Sequence, residues 1–245
     1  MKQIGHIWIG PHPAPTKWML SWQRFHPDAP YKLYDNDFIL KFKFKNQAHI
    51  DEMIDRRHFH GAADLIRYEL LYALGGFIPE ADSICVKNTD ALFSEETCYT
   101  VYENEFLRGK LVSPIIASNP NNKFLELLID QLHEIDPKSL GDPWKSTGNL
   151  FCAKMIETHN PKITIFPSFY FNPLHHTGLL HQNYQSAYAI QLWGSTKGTY
   201  KSATLFTNIR EKHKVSRGKK STKAIDKKTL GYSRAQILQH FRIST

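Results

Sequence analysis

Two carboxylates two residues apart, Glu80 and Asp82, follow a short apolar run that opens after a double glycine, Gly75-Gly76. Residues at i and i+2 of an extended chain project from the same face, so the pair is expected to present its oxygens together where a strand ends. Carboxylate, water and phosphate oxygens are the ligands that hard divalent ions such as Mg²⁺ and Mn²⁺ prefer. An ion held there would bridge a diphosphate and offset its charge as it leaves. Upstream, Asp64 and Arg67 stand at i and i+3, a helical spacing that sets an acid beside a rigid five-donor guanidinium. Each feature alone is the ordinary furniture of a solvated surface. Their order in one stretch (acid, arginine, double glycine, strand, acidic pair) is far more specific.

The elements that must position these groups alternate between β and α patterns. Residues 2–9 alternate as a first buried strand and end at Gly10-Pro11. Thr16 can cap a helix carrying Trp18, Leu20, Trp22 and Phe25, which stops before Pro27. Residues 31–34 read as a second strand, residues 35–37 as a turn, and residues 41–45, which alternate Lys and Phe, as a short edge strand. Residues 62–74 carry a buried stripe of Leu65, Ile66, Leu70 and Leu74 that Gly75-Gly76 closes. Strands are expected at 77–78, 83–86, 99–103, 111–117, 163–166 and 188–193, with helices at 121–135 and 147–157. This alternation predicts an α/β sheet.

The 245 residues, 41% hydrophobic and 22% charged, suit a globular domain with a sizeable core. No apolar run reaches the length of a membrane span, and the N-terminus lacks the features of a signal peptide, so the chain is expected to stay in the cytoplasm where it is made. Cys85, Cys98 and Cys152 are odd in number and far apart, which predicts free thiols rather than a disulfide framework. CxxC, HExxH, GxGxxG and GxxxxGK[ST] patterns are absent. His175-His176 is the one adjacent pair among 13 histidines, most of which read as surface or polar-core residues. The charge of +8 is uneven: residues 201–245 hold 12 Lys/Arg against Glu211 and Asp226, while residues 1–200 hold 19 basic and 21 acidic groups. We therefore read residues 1–200 as the domain and 201–245 as a basic C-terminal extension, with a short helix at 233–241. Such a tail suits peripheral contact with an anionic membrane or a polyanion, or simply a solvated segment. Nothing specific to nucleic acid is present.

The stretch from Asp64 to Asp82 resembles the sugar-binding region of DXD glycosyltransferases, the family of yeast initiating mannosyltransferases and bacterial capsular and lipopolysaccharide transferases, whose core clostridial glucosylating toxins share. The family pattern S-D-x-x-R-Y-x-x-L-Y-x-x-G-G-x-Y-x-D-x-D is matched at Asp64, Arg67, Tyr68, Leu71, Tyr72, Gly75, Gly76 and Asp82. HIWIG at 6–10 resembles the opening strand, KNTD at 87–90 the segment after the acidic pair, STGN at 146–149 the T-G-P loop, and YAIQLW at 188–193 the closing strand.

This resemblance implies a single GT-A type domain, a Rossmann-like mixed sheet flanked by helices. It also implies transfer of a sugar from a UDP- or GDP-sugar to a glycan or lipid-linked acceptor, with Mn²⁺ or Mg²⁺ as cofactor and retention of anomeric configuration. Asp82 would ligate the ion and Glu80 would contact the ribose or a metal-bound water. Asp64 and Arg67 would hold the transferred sugar. Trp8, with Ile9, would support the base, the alternative for Trp8 being a core position; Ala81 lies between the two acids at the donor. Gln191 is the third candidate at the metal, and Thr147 either lines the acceptor side or caps a helix. No second carboxylate is placed as a nucleophile, which favours front-face displacement. The chain departs from the pattern at Glu80 (Asp in the family), Pro79 (Leu), Gln191 (often His) and Ser195-Thr196 (Ser-Trp). These departures motivate an alternative: a degenerate protein that binds a nucleotide-sugar or glycan without turnover.

Overall fold

The computed structural model describes residues 3–94, 97–114, 116–197 and 200. The basic extension and its expected helix at 233–241 lie outside the described residues. In chain order the elements are β1 (Ile4–Ile7), α1 (Thr16–Phe25), β2 (Tyr31–Tyr34), α2 (Asn36–Ile39), α3 (Gln47–Asp55), α4 (Phe59–Leu74), β3 (Gly76–Phe77), β4 (Ser83–Cys85), β5 (Cys98–Val101), α5 (Glu105–Arg108), β6 (Ala117–Ser118), α6 (Lys123–His133), α7 (Pro143–Ser146), α8 (Asn149–His159), β7 (Ile163–Phe166), β8 (Ala189–Gln191) and α9 (Gly194–Lys197).

Six strands form one mixed sheet in the order β2-β1-β3-β6-β5-β7, and β4 pairs with β8 in a separate antiparallel ribbon. Strand β1 runs parallel to both neighbours, β2 and β3. The chain leaves β1 through α1 to reach β2 on one side, then returns through α2–α4 to β3 on the other. The carboxyl ends of β1 and β3 therefore flank a topological switch point, where open α/β sheets leave a crevice for ligands. Trp8 follows β1 and Glu80–Asp82 follow β3, so topology alone brings them to the same crevice.

Helix α4 is the spine of the larger core. Leu65, Ile66, Leu70 and Leu71 are buried with Ile50 and Met53 of α3 and Leu125, Leu128 and Leu132 of α6. A second core gathers Trp22, Phe77, Tyr99, Phe166 and Phe171. The double glycine is required by geometry. Gly75 and Gly76 have φ of 66° and 102°, and a Cβ would come within 2.6 Å of Pro120 at the first and of Gln3 at the second. Only glycine turns the chain from α4 into β3 in so little space.

Several elements differ from the sequence reading. Residues 41–45 are a loop: the Lys45 and Asn46 amides donate to the Glu69 carboxylate at 2.6 and 2.8 Å, so Lys45 offers no ladder donor. The Lys/Phe alternation reflects Phe42 and Phe44 packing inward. Residues 35–37 open the helical turn α2, with Asp35 accepting from the Phe38 amide at 3.0 Å. Helix α3 had no counterpart in the sequence reading. The expected strand at 111–117 reduces to β6 and a bridge between Tyr102 and Val112. Cys85, Cys98 and Cys152 are free and buried, as expected.

Candidate functional site

Helix α4 carries Asp64 and Arg67 on the face turned toward the crevice, and both are buried. Arg67 is clamped by two carboxylates: its Nη2 lies 2.9 Å from Glu80 Oε1 and its Nη1 3.5 Å from Asp64 Oδ1. The guanidinium Nε is buried with no hydrogen-bond partner among the described residues. Thr147 Oγ1 lies beside Asp64 and donates to the Pro143 carbonyl at 3.1 Å, and the Thr147 carbonyl accepts from Tyr68 Oη at 2.8 Å. The neighbouring Gly148 approaches so closely that a Cβ would sit 2.8 Å from Asp64 Oδ2. The STGN loop is thus built onto Asp64. Thr147 is not the N-cap of α8, which is Gly148; it is the C-cap of α7.

The acidic pair is presented by a turn, in place of the extended segment expected from sequence. The Ser83 amide donates to the Glu80 carbonyl at 3.1 Å, and Ser83 Oγ donates to the same oxygen at 2.7 Å. Glu80 is left half-exposed against Arg67 while Asp82 is buried. The closing segment grips Asp82 from three directions. Gln191 Nε2 donates to Oδ1 at 2.6 Å, the Gly194 amide donates to Oδ2 at 2.6 Å, and the Leu192 amide donates to its carbonyl at 2.8 Å. Gln191 therefore reaches Asp82 as the sequence suggested, directed there by the pairing of Ser83 with Gln191 between β4 and β8. It presents its amide nitrogen to the carboxylate. Ala81 is the second residue of the turn and has no side-chain role.

The electrostatics follow from two carboxylates held on one guanidinium and a third, Asp82, that feels the charge of Glu80. Burial, with the nearby charge of Glu80, pushes Asp82 up to about 6. Burial pushes Asp64 up to about 8 despite the opposing pull of Arg67. Both acids resist ionisation chiefly because they are buried, and the charge of Glu80 adds to that. His6, fully enclosed behind Arg67, is lowered to about 3 by burial and then by the guanidinium, so it stays neutral and supplies no compensating charge.

Trp8 is half-exposed at the crevice, with its Nε1 donating to the His12 carbonyl at 2.7 Å. Its loop is held by Asn36, which exchanges two hydrogen bonds with the Gly10 backbone at 2.9 and 3.0 Å. The core tryptophans are Trp18 and Trp22. Ile9 is buried beneath the loop. The Tyr200 ring meets Trp8 edge-on at 4.9 Å between centroids and lies 5.9 Å from Trp18, with its hydroxyl 3.4 Å from Asp82 Oδ2. KNTD at 87–90 serves the fold, since Thr89 is fully buried and bonded to His26.

Residues 16–99 match the family model described as "Glycosyltransferase sugar-binding region containing DXD motif". This segment is similar to the sugar-binding region of DXD glycosyltransferases. Over 150 residues the chain is 28% identical to inositol phosphoceramide mannosyltransferase 2 of Schizosaccharomyces pombe, a match that covers 59% of this chain and 42% of that protein. The chain thus spans less than half the length of this curated relative. A solved structure of the PaToxG glycosyltransferase superposes with a TM-score of 0.53 at 17% identity, covering 64% of this chain and 69% of that one. That likeness establishes the GT-A type architecture. Within the DXD region, Asp64, Arg67, Glu80 and Asp82 meet at one crevice, and Gln191 joins them from outside it.

Sequence reasoning passed over a second cluster, one buried carboxylate with two histidines. Glu103, His175 and His176 bring one ligand atom each within 4.8 Å of one another. The adjacency of the two histidines was visible, but Glu103 lies 72 residues from His175, and no local spacing links them.

Proposed function

We propose that this chain transfers a sugar from a UDP- or GDP-sugar to a hydroxyl of a glycan or lipid-linked acceptor, assisted by Mn²⁺ or Mg²⁺ and with retention of configuration. The observation that carries the reading is the buried group of Asp64, Arg67, Glu80 and Asp82 at the switch point of the sheet. A divalent cation fits this group: its donors are hard oxygens, and burial disfavours the charge on Asp64 and Asp82 that such an ion would offset. Asp82 would hold the ion, with Glu80 beside it and the Gln191 amide turned to offer its oxygen. When bound, such an ion offsets the charge of a departing diphosphate.

The chain's own groups do the rest. Asp64 and Arg67 orient the sugar hydroxyls. Trp8 offers its face to the base. Gly194, whose amide is aimed at Asp82 Oδ2, ties the closing segment to the acidic turn. No further carboxylate is positioned at this group among the described residues, so direct attack by the acceptor on the donor's own face is the favoured course. The basic extension, with its 12 Lys/Arg, suits an acceptor presented at an anionic surface.

The test is release of free nucleotide from a panel of UDP- and GDP-sugars, with Mn²⁺ or with EDTA, by the protein and by its Asp82→Ala variant. We expect release that requires both the cation and Asp82. Donor binding without release from any panel member, with or without glycan acceptors, would support a binding protein. Neither binding nor release would remove the proposal.

A further inference from the structure

We propose that Glu103, His175 and His176 form a second cation site, separate from the acidic turn and suited to Zn²⁺ or a similar borderline transition ion. Imidazole nitrogens with one carboxylate are the ligands such ions favour, whereas the all-oxygen group at Asp82 favours Mg²⁺ or Mn²⁺. Glu103 Oε1 and His175 Nε2 are 3.3 Å apart. Two ligands of a tetrahedral zinc at about 2.05 Å lie about 3.3 Å from each other, so this pair already has the needed separation. His176 is exposed and brings its nitrogen within 4.8 Å of both.

The supporting groups match what metal ligands require. The other Glu103 oxygen accepts from Asn149 Nδ2 at 2.8 Å, and His175 Nδ1 bonds Thr177 Oγ1 at 2.9 Å, leaving Nε2 aimed at Glu103. Outer partners of this kind fix tautomer and orientation at metal sites. The loop that presents the histidines is pinned by the His175 amide donating to the Leu179 carbonyl and the Gly178 amide donating to the His175 carbonyl, both at 2.9 Å. Both imidazoles pack edge-on against Trp193, at 5.4 and 5.2 Å between centroids. Three protein ligands leave a fourth position for water or for an incoming oxygen.

Arg108 is the internal competitor. Its Nε lies 3.5 Å from Glu103 Oε1, and its guanidinium also rests over the Trp144 ring at 5.5 Å. It is substantially exposed and can swing away when an ion takes its place. The cluster reaches the donor crevice by two routes: Asn149 adjoins Gly148 beside Asp64, and Trp193 adjoins Gly194, which binds Asp82. An ion here would tie together the two segments that border the donor.

The full chain, freed of purification tags and stripped with chelator, should be titrated with ZnCl₂ by calorimetry and with Co²⁺ by visible absorption. We expect one ion per chain and an intense Co²⁺ band of low coordination number. His176→Ala should weaken Zn²⁺ binding by about 10- to 100-fold, judged against the range seen when groups around metal sites are removed. Arg108→Ala should tighten it, and Asp82→Asn should leave it unchanged. Circular dichroism of His176→Ala, a change at an exposed side chain, checks that the fold is retained. Equal Zn²⁺ affinity in the wild type and His176→Ala, or loss of the ion in Asp82→Asn, would overturn the assignment.

Discussion

Asp82 and Glu103 are both buried carboxylates, yet they sit in opposite company. Asp82 has the charge of Glu80 nearby, and burial holds it up to about 6. Glu103 is met by Arg108, His175 and Asn149, so its charge is answered within the protein. In the proposed function the first centre is completed by a hard cation carrying a diphosphate. The second is already balanced and must exchange a resident cation, Arg108, for a metal.

The sharpest break in the comparison is Arg67→Ala. It removes the only cation that the described residues place between Asp64 and Glu80, leaving a buried acid without its partner. Loss of one member of a buried ion pair costs about 3–5 kcal/mol, and urea unfolding should record a loss of that order together with abolished nucleotide release. Arg67→Lys keeps the charge but cannot span both carboxylates, and should recover stability in part and activity little. Arg108→Ala, at the balanced centre, should change stability by less than about 1 kcal/mol because that arginine is exposed.

Asp64→Asn sharpens the same point through pH. The folded-state value of Asp64 is raised to about 8 from an ordinary 3.8. The folded protein therefore binds a proton that the unfolded chain has released between those values, and stability due to this group is full below about pH 4 and lost as pH rises through about 8. The amide never ionises. Its melting temperature should exceed that of the wild type by about 5 °C at pH 8.5 in EDTA and approach it at pH 5. A constant difference across that range would show that Asp64 does not titrate there.

Much of this was legible because it is local. Strands β2 and β7 and helix α1 fall where alternation and the Thr16/Pro27 punctuation put them, and α4 begins only three residues before its expected start and ends at its double glycine. Asp64, Arg67, Glu80 and Asp82 could be named because one helix, one turn and one short strand carry them all. What failed was set by distant partners. The Lys/Phe alternation at 41–45 mimics a strand, but Glu69, 24 residues away, claims the Lys45 amide. The turn at 80–83 depends on Ser83 reaching back to Glu80, which an i, i+2 reading does not contain. Helix α3 is amphipathic over only nine residues and interleaves His, Asp and Glu with its buried Ile50 and Met53, too weak a pattern to stand out.

Trp8 supplies the finest division, because one residue type serves both purposes in this protein. Trp22 is fully enclosed and donates to Ser83 Oγ at 3.1 Å, so Trp22→Ala should cost about 3–5 kcal/mol of stability through the cavity it leaves. Trp8 is half-exposed, and its loop is secured independently by the Asn36–Gly10 bonds. Trp8→Ala should therefore barely move the melting temperature. It should weaken binding of UDP or GDP in Mn²⁺ by about tenfold, the order expected for loss of one aromatic face stacked on a base. Calorimetry with the nucleotide diphosphate alone isolates that face from the sugar contacts of Asp64 and Arg67. Unchanged nucleotide affinity in Trp8→Ala would move the base elsewhere along the crevice, toward the Trp18 side, while leaving the acidic turn as the diphosphate end.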